Sequence, residues 1–165
     1  MAFHQLGPGE GLLYDYIAPE DGAKNFTFVF FNALTGDTAM WSDTIVPTLR
    51  DQGHGALLYN MRGQRESPFA PGTELAEPLI VADALALLEQ VKPQRPILVG
   101  LSIGGLFAAR AHLGGAAADG LVLINTLRRD GPRLRWFNES TARCVAVGGG
   151  ELLRDLLFPL LFDEE

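Results

Sequence analysis

Ser102 stands in the stretch Val99-Gly100-Leu101-Ser102-Ile103-Gly104-Gly105, after the apolar run Pro96-Ile97-Leu98 and before the helical pattern Leu106 to Leu113. A serine that closes a strand and opens a helix must turn sharply, which puts its backbone in a strained region and lifts its Oγ clear of the sheet. The residues two before and two after it must be small, and Gly100 and Gly104 meet that need, while Gly105 lets the helix pack close to the strand. The helix N-terminus aims N–H groups and the positive end of its dipole at the same place. The chemistry this suits is nucleophilic attack by the Ser102 hydroxyl on an acyl carbon, with the Ile103 N–H stabilising the developing oxyanion. A useful oxyanion hole needs a second donor, and the candidate is the Leu34 N–H, in the loop after the run Phe26 to Phe31. On sequence alone Asn32 to Asp37 reads equally well as an ordinary strand-to-helix loop.

The elements that must carry these groups are legible in outline. Gly11 to Ala18 alternates loosely and reads as an N-terminal strand; Phe26 to Phe31, Ala56 to Asn60, Pro96 to Gly100 and Gly120 to Asn125 are short apolar runs of buried-strand type. Between them Thr38 to Arg50 reads as a helix with a weak point at Pro47. Glu74 to Val91 reads as a second helix, with Ile80, Ala84, Leu87 and Val91 on one face, and Gly105 to Leu113 as a third. Strands alternating with helices predict the α/β class, a mostly parallel sheet with flanking helices. Ligands of such sheets gather at the carboxyl ends of the strands, which selects residues 32–34, 60–63 and 101–103.

Composition narrows the function classes. The chain has 165 residues and a net charge of −7, which argues against nucleic acid and against an anionic membrane surface as partners. Hydrophobic residues are 47%, enough for a sizeable core. The single cysteine, Cys144, excludes an internal disulfide and a cysteine-based zinc site. No metal and no cofactor are expected. The first eleven residues lack a basic region followed by an apolar stretch, and no run is long enough to cross a bilayer, so the expected location is cytoplasmic.

At these residues the chain resembles the α/β-hydrolase family. "FVFFNALTGDTAMW" is similar to that family's first buried strand and oxyanion loop, "GHGALLYNMRGQRES" to its next strand and the Arg-Gly loop, "ILVGLSIGGLFAAR" to its nucleophile elbow, and "DGLVLINTLRRDG" to the strand that leads into its cap. The likeness runs over most of Phe26 to Arg129. Two positions differ from the family's usual pattern: Asn32-Ala33 replaces His-Gly in the oxyanion loop, and Asn60 stands where Asp is frequent. "RWFNESTARCVAVGGGELLRDLLF" is similar to the start of the helical cap in enol-lactonases. The resemblance implies a core over 1–130, the start of a cap over 131–165, and a serine esterase or lactonase acting on a small carboxylic ester or lactone.

In that family the order is Ser, then Asp or Glu, then His. Only His112 follows Ser102, some ten residues along the helix and roughly 15 Å away at ~1.5 Å per residue. His54 precedes a strand, at the far end of the sheet, and His4 lies in the N-terminal tail. Asp130 follows the last strand and reads as a polar loop residue. The expectation is that the acid and base lie outside these residues, that the last strands of the family's sheet are lacking, and that the chain alone is inactive. The apolar end, Leu152 to Phe162, is expected to associate with another copy or another chain. Two other readings stay open: a non-catalytic ligand- or protein-binding module, and an acyltransferase on the same fold.

Overall fold

The computed structural model describes residues 1–22, 24–126 and 131–157. The chain divides into two compact units, Met1–Leu127 and Arg128–Glu165. In the first, six strands form one sheet: β1 (Ala2–Gly7), β2 (Glu10–Ile17), β3 (Thr27–Phe31), β4 (Gly55–Tyr59), β5 (Pro96–Leu101) and β6 (Gly120–Ile124), in the order β1-β2-β4-β3-β5-β6. β4, β3, β5 and β6 are mutually parallel, and β2 runs antiparallel to both β4 and β1. The helices are α1 (Ala39–Ser42), α2 (Ile45–Asp51), α3 (Glu77–Val91) and α4 (Ile103–Leu113), with α5 (Pro132–Leu157) in the second unit.

The central strands are apolar throughout because both faces are covered, and alternate residues go to opposite sides. Val29, Phe31, Leu57, Tyr59 and Leu98 pack with Ile80, Ala84 and Leu87 of α3 and Phe107, Ala108 and Ala111 of α4. Phe30, Ala56, Leu58 and Val99 pack on the other side with Trp41 of α1 and Val46 of α2.

Three expectations need correction. The N-terminal tail is a strand: Ala2 to Gly7 pairs with β2 through the turn at Pro8-Gly9, so His4 belongs to a hairpin. The helix over Thr38–Arg50 is two short helices, broken at Asp43-Thr44. Pro47 is not the weak point, since it lies in the first turn of α2, where backbone N–H groups have no partner within the helix. The helix over 74–91 starts at Glu77, with Pro78 in its first turn, and ends at Lys92 in the left-handed region (φ 50°).

The loop after β4 is tied to the sheet by charge. Arg62 donates from Nε and Nη2 to both oxygens of Asp83 on α3, each at 2.7 Å, and its Nη1 lies 3.0 Å from Glu10 at the start of β2. Glu10 also accepts the Ala70 N–H (2.8 Å) and the Thr73 hydroxyl. The Ala70 N–H foremost, and then Arg62, hold its carboxyl below the usual glutamate range. Asp83 and Glu10 in turn raise the Arg62 guanidinium further above its already high value. Ser67 completes the tie, donating to the Asn60 carbonyl (2.7 Å) and accepting the Leu13 N–H (2.9 Å).

In the second unit α5 is interrupted at Gly149 (φ 64°, ψ −161°). Trp136 and Cys144 before the break and Leu153 and Leu156 after it line one apolar cleft of about 190 Å³. Among the described residues no helix is long and apolar enough to cross a membrane. Asp130 and the apolar end from Phe158 lie outside the described residues.

Removing one partner of a buried ion pair leaves a charge with no compensation, at a cost of about 3–5 kcal/mol. Asp83→Ala is therefore expected to lower the free energy of unfolding by about 3 kcal/mol, because Glu10 still covers one edge of the guanidinium. Urea denaturation checks this, and a midpoint unchanged from the parent chain would show that the pair holds nothing.

Candidate active site

Ser102 has φ 56° and ψ −122°, a conformation outside the ordinary regions for an L-residue, at the junction of β5 and α4. Such a conformation costs on the order of 1–3 kcal/mol and persists only where the surroundings enforce it. Here the Ser102 N–H donates to the Ile124 carbonyl at the end of β6 (2.9 Å), and the Ser102 carbonyl accepts the Gly105 N–H (3.2 Å). The side chain is half-buried and makes no capping hydrogen bond to the helix. The Ile103 N–H is the first of the four that an α-helix leaves unused at its N-terminus.

Each flanking glycine has a different neighbour. A Cβ on Gly100 would lie 2.4 Å from the Gly105 Cα and 2.5 Å from the Gly104 carbonyl oxygen. A Cβ on Gly104 would lie 2.3 Å from the Phe31 oxygen and 2.4 Å from the Asn32 oxygen, and one on Gly105 would meet the Thr126 side chain. The first turn of α4 is thus pressed onto the carboxyl end of β3, and the loop carrying Leu34 begins at that contact.

That loop is held by three side-chain amides, the buried Asn32 and Asn60 and the half-buried Gln64, whose hydrogen bonds the sequence did not assign. Asn32 is fully buried; its Oδ1 accepts the Trp41 indole N–H (2.8 Å), and its Nδ2 donates to the Tyr59 carbonyl and to Gln64 Oε1, both at 3.0 Å. Asn60 Oδ1 accepts the Thr38 N–H (3.0 Å). Gln64 Nε2 donates to the Ala33 carbonyl (2.8 Å) and the Leu34 carbonyl (3.2 Å). The Leu34 side chain is 69% exposed. Outside this network Asp37 pairs with Arg65, which holds its carboxyl below the usual aspartate range. For Asn32 and Asn60 the signal was a polar residue directly after a buried strand, where a side-chain amide is costly unless paired.

The three histidines are elsewhere. His54 precedes β4, at the ends of β3, β4 and β5 opposite Ser102, as the pairing of Thr27 with Gly55 and with Pro96 requires. Its Nδ1 accepts the Phe26 N–H (3.3 Å), and it lines a cavity of about 610 Å³ with Asp15, Arg50 and Asp51. His4 pairs with Gln90 of α3, on a strand four spacings from β5, roughly 19 Å away. His112 is exposed in the last turn of α4, with the Ala116 carbonyl 3.4 Å from its Nδ1. Among the described residues no group of three or more His, Cys, Asp or Glu is close enough to hold a metal ion.

A family model described as "alpha/beta hydrolase fold" matches residues 27–147, the span that includes the loop after β3 and the turn at Ser102. The chain belongs to the alpha/beta hydrolase fold family. It is 28% identical over 134 residues to the protein named "Putative carbamate hydrolase RutD" of Variovorax paradoxus, covering 81% of this chain and 46% of that protein. The enol-lactonase of Burkholderia xenovorans LB400 superposes with a TM-score of 0.72 at 27% identity, over 90% of this chain and 55% of the lactonase. MGS-M2, an alpha/beta hydrolase enzyme from a Medee basin deep-sea metagenome library, superposes with a TM-score of 0.83 at 19% identity, over 96% of this chain and 56% of its own, which shows the fold. The chain thus spans about half the length of the relatives it matches.

The backbone approach at Gly104 predicts a steep steric cost. Gly104→Ala is expected to destabilise the protein by about 2–3 kcal/mol or more, since two carbonyl oxygens must move to admit one methyl. Gly131→Ala, with nothing within 4 Å, is the matched control and is expected to stay within about 0.5 kcal/mol. Thermal unfolding of the two variants compares them, and equal melting temperatures would show that the turn has room to spare.

Proposed function

We propose that the chain carries the nucleophile and the oxyanion-binding groups of a serine hydrolase acting on a small carboxylic ester or lactone. The observation that carries this reading is the positive φ of Ser102 at a strand–helix junction, enforced by glycines on both sides. The likeness to an enol-lactonase supports the substrate class, and the likeness to RutD extends it to carbamates, whose carbonyl presents the same electrophile.

In the proposed reaction the Ser102 Oγ forms a bond to the substrate's carbonyl carbon while its proton passes to a base. The carbonyl oxygen takes the negative charge and is held by the Ile103 and Leu34 N–H groups. Losing one such donor costs about 3 kcal/mol of transition-state stabilisation. The C–O bond to the leaving group then breaks, the base returns the proton to the alcohol, and an acyl group remains on Ser102. Water attacks that ester with the same base accepting its proton, releasing the acid and restoring the hydroxyl. The base is a histidine outside these residues, since none of the three in the chain stands at the turn.

A second reading, a ligand- or protein-binding module without turnover, is favoured by that same separation of Ser102 from every histidine. Mass spectrometry with a fluorophosphonate separates the two. The expected result is one adduct at Ser102, none in Ser102→Ala, and faster adduct formation when imidazole is added to serve as base. A folded chain that takes no adduct, with or without imidazole, would favour the module.

A further inference from the structure

The four side-chain hydrogen bonds of Gln64 define the direction of a backbone N–H they do not touch. Its Oε1 accepts from the Met61 N–H (3.0 Å) and from Asn32 Nδ2 (3.0 Å), while its Nε2 donates to the carbonyls of Ala33 (2.8 Å) and Leu34 (3.2 Å). Exchanging the two ends of the side-chain amide would set donors against donors and oxygens against oxygens, so only one orientation satisfies the site. The peptide between Ala33 and Leu34 is trans, so its carbonyl and its N–H point to opposite sides. The Ala33 carbonyl also accepts the Gly36 N–H (3.1 Å), which fixes the plane from a second direction.

The strand order turns that statement into a direction. β3 lies between β4 and β5. Gln64 follows β4, on one flank of β3; Ser102 and the first turn of α4 follow β5, on the other flank, with Gly104 against the Phe31 and Asn32 carbonyls. The Ala33 carbonyl is bonded to Gln64, of the loop after β4, so the Leu34 N–H points away from that side chain, and the serine turn follows β5 on the opposite flank of β3.

We propose that Gln64 is the positioning residue of the oxyanion hole: it touches no substrate, but by gripping the Ala33 and Leu34 carbonyls from the β4 side it turns the Leu34 N–H toward Ser102. The inference rests on the hydrolase reading above. It also accounts for how a loop with Asn32-Ala33 keeps its donor aimed, since the grip acts on the backbone and is indifferent to the Ala33 side chain.

The test uses the chain in imidazole buffer and two reactions at position 102. A fluorophosphonate places a charged oxygen in the hole. In a Ser102→Cys background, iodoacetamide alkylates the thiol by a displacement that builds no such charge, read on the peptide containing position 102 so that Cys144 does not contribute. Gln64→Glu sets an ionised acceptor against two carbonyls, and Gln64→Met removes the donors at similar volume. Both are expected to slow phosphonate labelling by about 10–100-fold, a partial loss of one donor, and to change alkylation by less than about threefold. Equal slowing of both reactions would mean that the turn itself has lost its shape, and would overturn the proposal. Phosphonate labelling at the parent rate in both variants would overturn it while leaving Ser102 as nucleophile. No adduct on the unsubstituted chain would overturn the hydrolase reading and this proposal with it.

Discussion

The site depends on one steric fact, the contact of helix backbone with strand backbone at Gly104. Two carbonyl oxygens at the end of β3 occupy the space a Cβ would need. That contact seats the first turn of α4 over the middle of the sheet, and with Gly100 lying against Gly105 it leaves the intervening serine no ordinary backbone conformation. The strain at Ser102 is thus a consequence of packing two elements closer than side chains allow. The same closeness brings the unused N–H groups of a helix N-terminus next to a loop from another strand.

Around that contact the fold uses polar groups where apolar ones would leave the loops free. Asn32 is buried completely yet fully engaged, bonded to Trp41, Tyr59 and Gln64. A half-satisfied amide in such a place would cost more than an apolar residue of the same size. The network therefore acts as a unit: it links α1, the loop after β3 and the loop after β4. Beneath it Arg62 fastens the second of those loops to α3 and to β2. A scaffold of this kind has its ordering cost met during folding, so that the loops after β3 and β4 are held before anything binds beside them.

The edges of the sheet differ in the same physical terms. At one edge β1 and β2 form an antiparallel hairpin whose inner strand covers β4. At the other, β6 is apolar, and Leu121, Val122, Leu123 and Ile124 are all between 38% and 47% exposed. A strand of this composition belongs to the interior type, covered on both faces. Its last carbonyl, that of Ile124, nevertheless has a defined task, since it accepts the Ser102 N–H and so takes part in shaping the turn.

The sequence by itself determined the order of elements over Phe26 to Ile124 and the serine turn. Both follow from short-range rules: buried strands are apolar runs, helices repeat every three or four residues, and a tight strand-to-helix turn admits only glycine beside it. The same rules did not reveal β1, whose residues His4, Gln5 and Gly7 carry no strand pattern and which forms because β2 offers an unpaired edge. Nor did they find the break between α1 and α2, where a proline drew attention away from the real interruption at Asp43-Thr44. What only the tertiary structure decided was partnership. Gln64 and Ala33 are 31 residues apart and Arg62 and Asp83 are 21 apart, and nothing in local spacing says which amide or carboxylate meets which. A hydrogen bond needs both position and direction within a few tenths of an ångström, and those exist only once the sheet has set its strands side by side.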